Sequence, residues 1–190
     1  MTDKTKRIDR RTLYTQNVIK EALLKLLKTR DFADITISEL CREADINRGT
    51  FYLHYKNTDM VLDDLFSDAL GSTHSMLIQI GCEASGSLDK GYPLCRFIRE
   101  NPKYQPLFFS DSLRSKVIGK IADANLESFL SQMREKTDLE ENVLISLFYF
   151  QINGCLAISK KEISSDDSAW SITQCNIDRF LKGGFDSISR

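Results

Sequence analysis

The sequence predicts an all-α protein in two parts. A three-helix head built on a helix-turn-helix comes first, and a larger helical C-terminal part follows. Three observations carry this. Apolar residues recur at spacings of three and four through most of the 190 residues, as one face of an α-helix requires. No run alternates convincingly at period two, the pattern of a half-buried strand. The three prolines, Pro93, Pro102 and Pro106, sit in one short stretch, so helices can run long on both sides of it.

Ile19, Ala22, Leu23, Leu26 and Leu27 form one stripe, which predicts a first helix from about Thr12 to Lys28, with Glu21 and Lys25 paired on its outer side. Phe32 and Ile35 follow as apolar plugs. Thr36-Ile37-Ser38-Glu39 has the capping-box pattern and starts a second helix that runs to Ala44 and buries Leu40. Asp45-Ile46-Asn47 breaks it, because Asp and Asn tolerate left-handed backbone. Asn47 then caps a third helix, Arg48 to about Lys56. A fourth helix starts near Thr58-Asp59 and its apolar stripe continues to about Ile80. Gly81, Gly86 and Gly91 with Ser85 and Ser87 mark a loop. A short helix at about 92–100 stops before Pro102. Long helices follow at 111–135 and 139–161, and a last one at 166–182 ends at Gly183-Gly184. The head is expected to cover 1–72, with its motif at 36–55, and the C-terminal part 73–190.

At 42% hydrophobic and 28% charged the chain can bury a core, which excludes a disordered protein. The opening MTDKTKRIDRR lacks the apolar stretch of a secretory signal. The apolar run Val143–Ile158 is shorter than the roughly 20 residues of a membrane span, so a cytoplasmic protein with no membrane contact is expected. Cys41, Cys82, Cys95, Cys155 and Cys175 are odd in number and form no CxxC pair, which fits neither a zinc site nor a disulfide framework. They read as reduced apolar residues, with a redox-sensing thiol as the alternative. No metal, cofactor or catalytic residue is expected: there is no nucleophile elbow, phosphate loop or HExxH, and the chain has only two histidines, so an enzyme is not expected.

The net charge of −1 is unevenly spread. Residues 1–30 hold nine Lys/Arg against three Asp/Glu, while residues 61–190 hold fourteen against eighteen. A local basic excess attracts phosphate whatever the whole-chain charge. On the third helix Phe51 and Tyr55 project about 40° apart and define the core face. Gly49, Leu53 and Lys56 point away, flanked by Thr50 and Tyr52. That outer face is small, aromatic and hydroxylated, which suits close approach to a major groove.

The run TISELCREADINRGTFYLHYKN resembles the signature of the tetracycline-repressor family, above all in Arg48-Gly49-Thr50-Phe51-Tyr52 with His54-Tyr55. The likeness spans roughly residues 12–72. It implies base or phosphate contacts from Arg48, Gly49, Thr50 and Leu53, and phosphate contacts from Thr36, Tyr52, His54 and Lys56. Tyr55, inside the same run, completes the candidate DNA-binding set. Thr58 departs from the family's usual lysine and offers only a hydroxyl contact or an N-cap. The resemblance implies a transcriptional regulator, expected to be a repressor released from a palindromic operator by a small apolar or amphipathic effector. A protein partner or cysteine oxidation is the alternative signal. His74, Leu77, Phe97, Phe108, Phe109 and Phe129 are the candidate effector-pocket residues, a filled core being the competing reading of the same rings. The helices at 139–161 and 166–182 are expected to form a homodimer. Val143–Ile158 is apolar nearly all round, and Trp170, Ile172, Ile177, Phe180 and Leu181 offer further anchors.

Overall fold

A computed structural model describes residues 10–71 and 93–190, and every regular element among them is helical. Backbone contacts divide the chain into two compact units, Met1–Asp68 and Ala69–Arg190, with the division falling inside the fourth helix.

The first unit is built from α1 (Arg10–Leu26), α2 (Ile37–Glu43), α3 (Arg48–His54) and the start of α4 (Thr58–Gly71), with a 3-10 turn at Phe32–Asp34. α1 packs on α2 and α3, which also pack on each other. Ile19, Leu23, Leu40 and Phe51 are fully buried and form the centre of this small core. Phe32 and Ile35 are buried in the link, so the chain between α1 and α2 is pinned by apolar side chains at both ends of the 3-10 turn. Three local signals set the turn of the motif. Asp45 takes a left-handed conformation at φ 52, and it is an aspartate that can do so at low cost. Asn47 caps α3, accepting from the Thr50 N–H at 2.8 Å. Asn57 accepts from the Met60 N–H at 2.9 Å, so the capping bond at the start of α4 comes from Asn57 and not from Thr58, the first residue of the helix. α4 is described to Gly71; the expected continuation to Ile80 and the loop of glycines after it lie outside the described residues.

The second unit contains α5 (Pro93–Glu100), a 3-10 turn at Pro102–Tyr104, α6 (Gln105–Phe109), α7 (Arg114–Lys136), α8 (Glu141–Glu162) and α9 (Asp167–Ile188). α7 and α8 form the main helix pair, and α5 and α6 close one end of it. Phe148, Ile152 and Leu144 of α8 and Val117 and Ile121 of α7 are fully buried between the elements. α6 was not legible as a helix because Pro102 and Pro106 sit where they look like breakers. Both stand in first turns, where a missing N–H costs nothing.

One expectation needs correction here. α9 does not stop at Gly183-Gly184 but runs through both to Ile188. Each glycine costs a helix interior about 0.5–1 kcal/mol. The continuation is offset by Phe185, whose ring lies 6.3 Å edge-on from Phe129. The helix expected at 139–161 is present as α8. Its 22 residues are long and apolar enough to cross a membrane by length and composition alone. Here it packs on α5, α6 and α7 and buries Gln151 and Ser159, as the central helix of a helical unit does.

Candidate nucleic-acid interface

The outer face of α3 is held out by the packing of its inner face. Phe51 is fully buried and Tyr55 is 4% exposed, while Tyr52 is 57% and Leu53 83% exposed. The Tyr52 ring meets Phe51 edge-on at 5.6 Å, so it is braced by the core although it stands in solvent. Arg48, Gly49 and Lys56 are exposed, and Thr50 and His54 are half-buried. Leu53 is thus left outside the packed core of the described residues, next in sequence to the exposed Tyr52.

Several candidate residues have local duties that the sequence showed only in part. Thr36 caps α2 in a complete capping box: its hydroxyl accepts from the Glu39 N–H at 3.2 Å and donates to Glu39 Oε2 at 2.9 Å. Its hydroxyl proton is therefore already engaged. Arg48 donates to Ser38 Oγ, which draws the guanidinium toward α2. Gly49 has a steric reason as well as an open backbone. A Cβ there would lie 3.1 Å from Asn47 Oδ1, tight against the atom that caps the helix. The expected third helix ends two residues early, at His54. Tyr55 turns extended at φ −137, so Lys56 follows the helix instead of riding on it.

Tyr55 is a correction to the candidate set. Its ring is buried and its hydroxyl donates to Asp64 of α4 at 2.5 Å, so it faces away from any ligand of the outer surface. Burial and the Asp64 hydrogen bond push its phenol well above the usual range. Lys20 of α1 joins the same cluster, 2.5 Å from Asp68 and 3.5 Å from Asp64. Burial alone would lower the pKa of this lysine, but the hydrogen bond to Asp68 and the two carboxylate charges outweigh it and the net shift is upward. Sequence reasoning missed this network; its only signal was a lysine set directly beside the fully buried Ile19.

Glu39 shows the opposite shift. The backbone N–H of Thr36, then its hydroxyl and the Arg30 guanidinium, hold the carboxyl at about 2, from an ordinary 4.5. A depressed carboxylate stabilises the fold above its unfolded pKa and loses that contribution as pH falls through the folded one. The thermal midpoint of the full chain should therefore carry a component that declines between pH 4.5 and about 2. Glu39→Gln keeps an acceptor for the Thr36 N–H and removes the charge, so it should flatten that component. Identical acid profiles for the two proteins would show that the capping box contributes no pH dependence.

Among the described candidate effector residues, Phe97 and Phe108 lie together, and Phe129 packs with a different ring. His74 and Leu77 lie outside the described residues. Phe97 stacks on Tyr104 at 5.8 Å and meets Phe108 edge-on, whereas Phe129 packs with Phe148 and Phe185 elsewhere in the unit. Phe97, Phe108 and Phe129 are buried and Phe109 half-buried. The described residues do form a cavity, among α5, α8 and α9, and Phe97, Phe108, Phe109 and Phe129 do not line it. Trp170, expected on a dimer face, is buried, with the Arg99 guanidinium 5.4 Å above its ring. Cys41, Cys95 and Cys155 are buried, and burial pushes the Cys41 thiol up, away from reactivity. Cys82 lies outside the described residues. Among those described, no group of three or more His, Cys, Asp or Glu could hold a metal ion.

Two short capped helices at a tight turn, the second with an outward tyrosine-leucine face, define a helix-turn-helix domain by geometry. Residues 19–65 match the family of bacterial regulatory proteins called the tetR family. The HTH-type transcriptional regulator YxbF of Bacillus subtilis is 41% identical over 64 residues, which are 33% of this chain and 17% of that protein. The HTH-type dhaKLM operon transcriptional activator DhaS of Lactococcus lactis is 26% identical over 103 residues, 54% of this chain and 53% of its own length. These alignments thus span at most about half of either curated relative. A crystal structure described as a tetR family transcription regulator of Shewanella sp. PV-4 superposes with a TM-score of 0.65 at 16% identity. It covers 93% of this chain and 98% of its own, so the likeness in fold extends through both units.

Proposed function

We propose that this chain is a DNA-binding transcriptional regulator. Two copies joined through α8 and α9 set their α3 helices in successive major grooves of a palindromic operator, and a small molecule taken up by the C-terminal part, residues 73–190, releases them. The observation that carries this is the outward face of α3: an 83% exposed leucine next to a braced tyrosine, with unburied cations, on a head that matches the tetR family. Tyr52, His54 and Lys56 hold phosphates, Arg48, Gly49 and Thr50 lie at the groove, and Leu53 meets an apolar feature there. The only apolar feature of a major groove is the thymine methyl. The dimer is supported by Val143, Tyr149, Phe150, Ile172 and Phe180, all exposed and all on α8 and α9. Occupying a promoter suffices to repress it. Activation is the second reading, favoured by the relative whose name is that of an activator. A reporter behind the recovered operator separates the two by the sign of its response to deleting the regulator.

Footprinting at low salt should show two protected half-sites about one helical turn, or a multiple of it, apart. Lys56→Ala should weaken binding to all sequences and reduce the salt slope by about one. Tyr52→Ala should likewise weaken binding without changing sequence preference. Leu53→Ala should relax preference at one position per half-site and leave thermal stability nearly unchanged, since the side chain is not part of the core. Absence of protection by the wild type would sink the reading; a large loss of stability in Leu53→Ala would remove the thymine contact alone.

A further inference from the structure

Two buried thiols meet where α5 packs against α8. Cys95 is 6% and Cys155 5% exposed, and both are free. Cys95 Sγ lies 3.7 Å from the carbonyl oxygen of Cys155. A disulfide needs its two Cα atoms within about 7 Å. A sulfur this close to the other residue's own backbone needs only side-chain rotation and a small approach of the helices to reach the second sulfur.

The pair is chemically unequal. Donation from the Cys155 thiol, helped by the Ser159 hydroxyl one turn further along α8, outweighs burial and holds the Cys95 thiol below its ordinary range. The same hydrogen bond, together with burial, pushes the Cys155 thiol up. An ordinary buried cysteine has a raised pKa and is inert, as Cys41 is. Cys95 departs from that rule and has a second thiol beside it, the arrangement of a reactive cysteine with a resolving one. Both residues line a cavity of about 190 Å³, partly open, among α5, α8 and α9. Its apolar surface offers nothing to select a polar ligand. An uncharged oxidant scarcely larger than water needs a path there and no docking groups.

We propose that Cys95 and Cys155 are a peroxide-responsive pair that closes to a disulfide between α5 and α8 and thereby lowers operator affinity. The Cys95 thiolate attacks one oxygen of hydrogen peroxide and the O–O bond breaks. The departing hydroxide takes up the proton that the thiol released and leaves as water, and Cys95 becomes a sulfenic acid. The Cys155 sulfur then displaces that hydroxyl, which leaves as a second water with the Cys155 proton, and the S–S bond forms. Both sulfurs are oxidised and the peroxide is reduced. The new bond draws α5 toward α8, the helix that carries Phe150, and Phe150 borders the same cavity as Phe180 of α9. The seam assigned above to these two rings shifts with it, and with the seam the spacing of two heads on DNA. The effect on DNA rests on the regulator reading; the disulfide itself does not.

The reduced full-length protein is treated with hydrogen peroxide, digested with trypsin without reductant and mapped by mass. The expected product joins peptide 91–96 to peptide 137–160, each of which holds a single cysteine. Dithiothreitol should separate them. Cys155→Ser should form no bridge and leave Cys95 as a sulfenic acid that dimedone traps. In parallel, peroxide should lower affinity for the footprinted DNA fragment by about 5–150-fold, the usual size of coupling between distant sites. Dithiothreitol should restore it, and Cys95→Ser or Cys95→Ala, whichever folds, should not respond. Wild-type protein that yields no joined peptides overturns the pair. A bridge that leaves DNA affinity unchanged, or a loss that persists in the Cys95 variant, overturns the switch. Reduced protein that never binds DNA fails the regulator reading instead, and the peptide map still decides the pair.

Discussion

Phe150→Asp with Phe180→Asp should convert a dimer into a monomer and lower operator affinity by about 10²–10⁴-fold. The two rings are 65% and 72% exposed on α8 and α9 and border one cavity, and Ile172 of α9 is 62% exposed. A protein of this size does not normally leave three large apolar side chains in water on one surface without a partner. Neither substitution opens a hole in the core, because Phe148, Ile152 and Leu156 carry the inward face of α8 and are untouched. The folded unit should therefore survive, with helicity and thermal midpoint close to wild type. What disappears is the linkage of two heads, and with it the gain from binding the second half-site at high effective concentration. Each separate head should still bind DNA weakly, with the same salt response per head. Sedimentation at micromolar concentration checks the first part and DNA titration the second. A variant that remains dimeric would place the interface elsewhere; a monomer that retains full affinity would mean that the operator engages one head at a time.

Which parts of this molecule could be read from the sequence follows from how far each interaction reaches along the chain. The capping box at Thr36 and Glu39, the left-handed turn at Asp45 and the Asn47 cap each involve residues within three positions of one another, and each is present. The inward Phe51 and outward Leu53 needed only helical periodicity. The failures are all long-range or outvoted locally. Gly183-Gly184 reads as a helix end unless Phe185 is known to find Phe129, more than fifty residues earlier. The phenylalanines of the second unit look like one cluster in the sequence and form two in space. The cavity among α5, α8 and α9 draws together Cys95, Gln151 and Asp178, three positions that no local pattern connects. Tyr55 lies inside the run that resembles a DNA-binding signature, although its helical projection sets it beside Phe51 on the core face. The structure sides with the projection.

Asp64→Ala should lower the stability of the head by about 2 kcal/mol, more than its half-exposed position suggests. Asp64 accepts from the buried Tyr55 hydroxyl and lies 3.5 Å from the Lys20 ammonium, so its loss strands one donor and removes one of two counter-charges from a lysine whose side chain is 10% exposed. Tyr55→Phe should cost less, about 1 kcal/mol, because it removes the donor instead of orphaning it. Lys20→Met should also cost less than Asp64→Ala. It preserves the packed stem, and its carboxylate partners, 34% and 41% exposed, remain hydrated. Lys20 has its pKa raised, so its contribution is complete below 10.5 and fades only as pH climbs through the folded value. Pairing Asp64→Ala with Tyr55→Phe should show a coupling of about 1 kcal/mol; costs that simply add would mean that the hydrogen bond carries nothing. The effect on DNA is the sharper test. Deleting an acidic side chain from a basic head should, by charge alone, strengthen attraction to phosphate. Tyr55 is the extended residue that follows the last residue of α3, and Asp64 ties it to α4, so freeing it loosens the end of the recognition helix next to Lys56. A fall in operator affinity after Asp64→Ala, measured well below its thermal midpoint, would therefore report lost positioning and not lost charge; a rise would assign the network to stability alone.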